Sequence, residues 1–239
     1  MPTPIDMLLD RLHTQSNAES VQRARARFNG TDHEFSAIVE HYFALSPSLR
    51  QRFLSEHGVL LADDTTSMQG TPMSLAISAE MGRFLRNMVL AQRGSRILEL
   101  GSSYGVSTLY LADAVRSLGS GKVIATERDP RKCAGLRENL DMAGLTDYVD
   151  LREGDIFDTV LDLHGSFDII FIDAWADAYL PLFQQIERLL SPGTIVLTDN
   201  MYSAEETVAG YRDYLHHHPR LSSSTMDFAS GVEFTVVVR

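Results

Sequence analysis

Glu127, Asp173 and Asp199-Asn200 each end a short apolar run: K-V-I-A-T, F-D-I-I-F-I and T-I-V-L-T respectively. A buried strand does not need an acid at its end, so each of these positions invites a chemical explanation. If the runs holding Asp173 and Asp199 are neighbouring strands, their ends lie about 4.8 Å apart. Two carboxylates that close repel unless a proton or cation sits between them. With the amide of Asn200 they form three oxygen donors, suited to Mg²⁺, Ca²⁺ or Mn²⁺ rather than zinc. The same residue types also serve as helix N-caps and turn formers, and both explanations stand at this level. Glu127 could accept both hydroxyls of a ribose, or be an exposed turn carboxylate ahead of Arg128 and Asp129.

The stretch Arg96 to Ser107, R-I-L-E-L-G-S-S-Y-G-V-S, organises these positions. It reads as a buried strand, a turn between Gly101 and Gly105, and a helix carrying Val106, Leu109, Tyr110, Leu111 and Val115 at helical spacing. Glycines there let a ligand approach the backbone, and the free amides of the helix start attract a carboxylate or phosphate. Ordinary strand-to-helix packing can produce the same spacing. Glu127 follows Gly105 by twenty-two residues, at the end of the next strand.

Strands and helices alternate from there. Strands are expected at Lys122 to Glu127, Val149 to Arg152, Phe167 to Asp173 and Thr194 to Asp199. Helices fill Pro130 to Met142, Leu180 to Leu190 and Ala204 to His217, with a short helical turn from Phe157 to Leu163. Leu221 to Phe228 and Val232 to Val238 have no helix between them and read as an antiparallel hairpin. The pattern predicts an α/β fold: a doubly wound, mostly parallel seven-stranded sheet, Rossmann-like, whose ligands sit beyond the strands' carboxyl ends.

Ahead of that unit, residues 1 to about 60 read as helical. Leu8, Leu9 and Leu12 form one stripe and Ala37, Ile38, His41, Tyr42 and Leu45 another; a third helix would start near Pro47 and end at Gly58. Asp63 to Pro72 is a turn-rich loop, a hinge or lid that Met68 and Gln69 could line. A helix from about Ser78 to Val89, N-capped by Ser78, leads into the first strand. Residues 1–70 are thus expected as a helical extension or cap, and 71–239 as the main domain.

The net charge of −11 argues against a general nucleic-acid binder or a polybasic membrane surface. One cysteine, Cys133, excludes an internal disulfide and suits a reducing compartment. No apolar run approaches the ~20 residues of a membrane span, and the polar N-terminus does not read as a signal peptide. A cytoplasmic location is expected. His216, His217 and His218 do not form a metal site, because consecutive helical side chains diverge. Interaction with the helix dipole is expected instead.

L-E-L-G-S-S-Y-G-V-S, the acid in A-T-E-R-D-P, F-D-I-I-F-I-D-A-W-A-D-A-Y and L-L-S-P-G-T-I-V-L-T-D-N together resemble one family. It is the metal-dependent, catechol and caffeoyl-CoA group of class I S-adenosylmethionine-dependent O-methyltransferases. The match runs from about Ile77 to Asn200. The resemblance implies S-adenosyl-L-methionine as cofactor, with a divalent cation, most simply Mg²⁺. Gly101, Ser103 and Gly105 would form the turn against the methionine part, on the strand carrying Glu99, and Ser107 would contact its carboxylate. Glu127 would hold the ribose, Asp155 and Ile156 would border the adenine, and Ile77 would meet the methionine end. Trp175 stands where the group places a tryptophan near the adenine; a packed aromatic at the sheet edge is the alternative. Asp173, Asp199 and Asn200 align with metal ligands and would be catalytic, Asp173 also bordering the cofactor. The implied partner is a small-molecule hydroxyl acceptor, and dimerisation is an expectation of the resemblance only.

Two departures matter. The group's lysine three residues after the first metal aspartate is here Ala176, and no glutamate gripping a catechol is evident near Ser222 to Phe228. A sugar or polyketide hydroxyl is therefore an alternative acceptor. A nicotinamide-dinucleotide oxidoreductase is the alternative of another class, although G-x-G-x-x-G is absent. A catalytically silent cofactor-binding protein is a third.

Overall fold

Parallel strands that are apolar on both faces need helices on both sides, and four runs here meet that description, while V-D-L-R-E at 149–153 reads as an edge. The computed structural model describes residues 3–46, 48–50, 53, 74–202 and 205–239. Its sheet comprises β1 (Arg96–Leu100), β2 (Lys122–Glu127), β3 (Val149–Glu153), β4 (Ile169–Ile172), β5 (Ile195–Thr198), β6 (Leu221–Met226) and β7 (Val232–Val237). The helices are α1 (Pro4–Arg27), α2 (Asp32–Ala44), α3 (Ala79–Gln92), α4 (Val106–Leu118), α5 (Pro130–Ala143), α6 (Ile156–Thr159), α7 (Tyr179–Ile186) and α8 (Glu205–His217). Strand order is β3-β2-β1-β4-β5-β7-β6. The first five strands are parallel, and β7 joins antiparallel to both β5 and β6. The doubly wound sheet with a closing hairpin is the one expected from sequence.

The two-residue period of the strands divides the core. Ile97, Val123, Ile169, Phe171, Ile195 and Leu197 face one apolar cluster with α1, α3, α4 and α5. Leu98, Leu100, Ile124, Ile170, Ile172 and Val196 face the other, with α7 and α8. Glu99 has the same parity as Ile97, so its carboxyl is driven into the first layer, against α4. Apolar burial on both sides makes the central strands rigid supports for their ends.

Helix α1 starts with a capping box, in which Thr3 and Asp6 each accept the other's backbone amide. It then packs into the core with Ile5, Leu8, Leu9 and Leu12. Ser16 Oγ donates to the Ser74 carbonyl at 2.5 Å, and the Ser74 amide donates to Glu19 at 3.0 Å. The segment entering α3 is thereby tied to α1. Of the third expected N-terminal helix, only residues 48–50 and 53 are described. The loop at 63–72, with Met68 and Gln69, lies outside the described residues.

Because α1 shares the sheet's own core, Leu12→Ala is expected to cost roughly 2–4 kcal/mol. The loss is expected within a single cooperative transition in urea. A separate early transition, with the main one unmoved, would show that α1 is a detachable cap.

Candidate active site

The chemical positions lie at or within two residues of the strands' carboxyl ends, where the backbone turns away from the sheet. Gly101 leaves β1 with φ +95°, and a Cβ there would lie 2.3 Å from the Asp173 carbonyl oxygen. Only glycine lets the β1 and β4 exits pass this closely. Ser103 (φ +48°) and Gly105 (φ +85°) complete the turn into α4. Its pitch is set by the β2 exit: the Ser102 amide donates to the Thr126 carbonyl at 2.9 Å and the Ser103 amide to Glu127 Oε2 at 2.9 Å.

Glu127 Oε1 accepts the amides of Arg128 at 2.7 Å and Asp129 at 2.8 Å. Three of its roughly four acceptor sites are therefore occupied. The carboxylate is held still at the cavity wall, with room for one further donor rather than the two that a bidentate ribose contact would need.

Asp173 and Asp199 follow Ile172 and Thr198, which are paired in register on adjacent parallel strands, so both side chains leave the same face. The Asn200 amide group donates to Asp173 Oδ1 at 2.8 Å, and Asn200 itself is left-handed (φ +65°). The three residues expected to converge do so. Burial, then the neighbouring charges of Asp199 and Glu99, push the Asp173 carboxyl well above the usual carboxylate range, against the Asn200 hydrogen bond. Burial raises Asp199 to about 6. Tyr179, fully buried, donates to the Asp199 carbonyl at 3.1 Å. Burial and both aspartates hold its phenol neutral.

Glu99 lies behind the glycine turn. Thr108 Oγ1 donates to its Oε2 at 2.5 Å. Burial lifts its pKa to about 7, opposed by hydrogen bonds from Ser107 and Thr108. Among the described residues, buried side-chain atoms without a partner are few: Glu99 Oε1, Ser103 Oγ, Arg152 Nε and Asp199 Oδ1. Three of these four belong to the glycine turn, the strand before it, or the acid pair, so unmet polar capacity gathers here.

The glycine turn, Glu127 and the acid pair border one cavity of about 1020 Å³, which Glu99 and Gly105 do not line; its size is at the upper end of the roughly 300–1,000 Å³ usual for small-molecule sites. Its floor includes Gly101, Ser103, Ser107, Glu127, Asp173 and Asn200, and Ile77, Asp155, Ile156 and Trp175 also line it. Asp155 additionally N-caps α6, accepting the Phe157 amide at 2.9 Å. Trp175 is 47% exposed, a rim residue rather than a packed edge aromatic. The roof comes from α1 and α2, through Val21, Ala24, Phe35, Ile38, Val39 and Tyr42. Sequence reading missed Tyr179 and, in the roof, Val21, Ala24, Phe35 and Val39; Ile38 and Tyr42 belong to the stripe it named on helices expected as an extension or cap. A tyrosine four places after Trp175, at the start of an apolar helix, was the available signal for the first.

The histidines behave differently from one another. His217 Nδ1 donates to the Asp213 carbonyl at 2.9 Å, the helix-end contact expected for all three. His216 instead reaches Glu233 at 2.8 Å, and His218 packs against the Tyr214 ring. Glu233 is fully buried because Ser223 and Thr225 also donate to it, so the hairpin's own acid is turned away from the cavity. Among the described residues no cluster of three His, Cys, Asp or Glu side chains is placed to hold a metal; the set here is two aspartates and an amide. No helix among them is long and apolar enough to cross a membrane.

Residues 98–201 match a family profile described as a methyltransferase domain. Over 151 residues, 60% of this chain, the sequence is 30% identical to catechol O-methyltransferase from Sus scrofa and spans 77% of it. The chain belongs to the class I S-adenosylmethionine-dependent O-methyltransferases of the catechol and caffeoyl-CoA group. Catechol O-methyltransferase from Niastella koreensis is 35% identical over 150 residues, which cover 61% of this chain and 66% of that one, just under two thirds of its length. The fold matches that of the O-methyltransferase of tomaymycin synthesis from Streptomyces achromogenes, solved with S-adenosylmethionine. That match has a TM-score of 0.65 at 21% identity over 90% of this chain and 98% of that one.

A carboxylate whose folded pKa is raised binds more protons folded than unfolded between its two pKa values, so stability falls as pH rises through that window. For Glu99 the window runs from the ordinary value of 4.5 to about 7, and the loss is of order 3 kcal/mol. Asp199 adds in the same direction below about 6. Glu99→Gln is expected to flatten this decline in urea titrations from pH 4.5 to 8; an unchanged slope would remove Glu99 as its source.

Proposed function

We propose that the protein transfers the methyl group of S-adenosyl-L-methionine to a hydroxyl of a small acceptor, assisted by a divalent cation, most simply Mg²⁺, at Asp173, Asp199 and Asn200. The observation that carries the reading is Asp199 Oδ1, buried without a hydrogen-bond partner beside a second carboxylate. An unsatisfied carboxylate oxygen beside a second carboxylate fits a hard cation. The amide oxygen of Asn200 would be the third ligand atom, which requires the group to turn from its present contact with Asp173.

When bound, the cofactor supplies an electrophilic methyl carbon on a positive sulfur. When bound, the cation lowers the pKa of an acceptor hydroxyl. The chain's own work is alignment and charge. In this reading the Gly101–Gly105 turn and Ser107 receive the methionine end, with Ile77 against it and Glu99 behind it. Glu127 takes one ribose hydroxyl with its remaining acceptor site, while Asp155, Ile156 and Trp175 flank the adenine. Glu127, Asp173 and Asp199 line the cavity, with Glu99 buried behind them, and together they favour positive groups. Residues 1–70 act as the cap that keeps water from the acceptor, and 71–239 carry the transfer machinery.

The roof supports a narrower reading of the acceptor. Phe35, Ile38, Val39 and Val21 present apolar surface towards the cavity, which suits an aromatic or polyketide hydroxyl better than a sugar. With Ala176 in place of a lysine, no amine stands at that position to remove the proton. The proton then leaves to solvent or a carboxylate, and the rate should follow ionisation of the acceptor. The oxidoreductase alternative loses its footing, because the chain belongs to a methyltransferase family.

Calorimetric titration is expected to give saturable binding of S-adenosylhomocysteine and none of NAD. Asp173→Ala and Asp199→Ala should each lower Mg²⁺-dependent turnover at least a hundredfold while leaving S-adenosylhomocysteine affinity within about threefold. Full activity in excess EDTA would overturn the cation; absence of S-adenosylhomocysteine binding would overturn the whole reading.

A further inference from the structure

The peptide between Asp199 and Asn200 carries two of the three proposed cation ligands, so its orientation fixes where both side chains depart. The backbone amide of Asp199 is held within the sheet, donating to the Ile172 carbonyl at 3.0 Å. Immediately afterwards the chain reverses through the left-handed Asn200, and the sheet no longer determines the peptide plane. The Asp199 carbonyl is then met by one side-chain donor, the Tyr179 hydroxyl at 3.1 Å.

Tyr179 is well suited to fix that plane. It is fully buried at the first position of α7, and its ring meets Tyr211 edge-on with centroids 5.7 Å apart. Tyr211 in turn pairs its own hydroxyl with Thr198 Oγ1 at 2.8 Å. Two tyrosines from different helices, packed edge to face, thus tie consecutive residues at the end of β5. One holds the strand's last side chain, and the other holds the carbonyl between the ligands. A hydroxyl on a packed ring has little freedom, so it imposes direction on what it bonds.

We propose that Tyr179 is a positioning residue for the cation: its hydroxyl sets the Asp199–Asn200 peptide plane and so brings both side chains onto the ion together with Asp173. This rests on the cation reading above. Tyr179 itself supplies no ligand atom. Its loss should weaken cation affinity without altering the cofactor subsite, whose contacts at Gly101, Glu127 and Asp155 lie at the exits of β1, β2 and β3.

The test compares wild type, Tyr179→Phe and Tyr211→Phe, each keeping its ring. Mn²⁺ affinity is read by electron paramagnetic resonance of free Mn²⁺, with S-adenosylhomocysteine present and no acceptor. Tyr179→Phe is expected to bind Mn²⁺ roughly 10-fold more weakly, with S-adenosylhomocysteine affinity within twofold of wild type and kcat recovering at saturating Mg²⁺. Tyr211→Phe, whose hydroxyl touches Thr198 rather than the ligand peptide, is expected to stay within about threefold of wild type for Mn²⁺. Equal Mn²⁺ affinity in wild type and Tyr179→Phe overturns the inference. So does a parallel loss of S-adenosylhomocysteine binding, or a loss in Tyr211→Phe as large as that in Tyr179→Phe, since either marks a general structural role. Wild-type protein that binds no Mn²⁺ overturns the cation reading and this inference with it.

Discussion

Two carboxyl groups side by side at the ends of β4 and β5, Asp199 buried and Asp173 half-buried, are the constraint around which this site is built. Parallel register puts Asp173 and Asp199 on one face, one residue beyond the paired Ile172 and Thr198. Both protonation equilibria are displaced upward, chiefly by burial. An arrangement that disfavours its own charge is stable only if something compensates, and the Asn200 amide does so for one oxygen of Asp173. Asp199 Oδ1 is left unmet. That unmet oxygen is what gives the cavity an appetite for positive charge.

The remainder of the sheet distributes the same tendency. Glu99 and Glu127 stand on β1 and β2, but their neighbours treat them differently. Glu127 is held by three backbone amides, which leave it one acceptor site, and acts as a fixed point that shapes the glycine turn. Glu99 is driven inward by strand parity and meets a threonine hydroxyl, keeping one oxygen without a partner. One carboxylate therefore gives geometry and the other stores unspent polarity. In the proposed reading, a positive sulfur and a divalent ion would both find Glu127, Asp173 and Asp199 favourable neighbours in one cavity.

Helix α1 links stability to the shape of that cavity. One part of it, through Leu8 and Leu12, belongs to the core, while Val21 and Ala24 further along face the cavity. The Ser16–Ser74 and Glu19–Ser74 bonds carry the same coupling to the segment that places Ile77. A roof anchored in the core resists reshaping, so acceptor selectivity and folding draw on the same packing.

Strand parity and helix period made the central fold legible in the residues alone. Runs such as F-D-I-I-F-I can only be buried strands, and an acid closing each of them marks the end where ligands collect. Glycine at 101 and 105 was readable for the same local reason, because few other residues take positive φ. The roof was less readable: α1 and α2 were expected as helices, but helical spacing does not say what a helix covers. Three adjacent histidines looked alike in sequence and received different partners, because only docking of α8 on the β6–β7 hairpin brings Glu233 to His216. Tyr179 was invisible as a positioning group for the same reason. Its hydroxyl has meaning only against the Asp199 carbonyl, twenty residues away, and contacts across that distance are set by packing rather than by any local pattern.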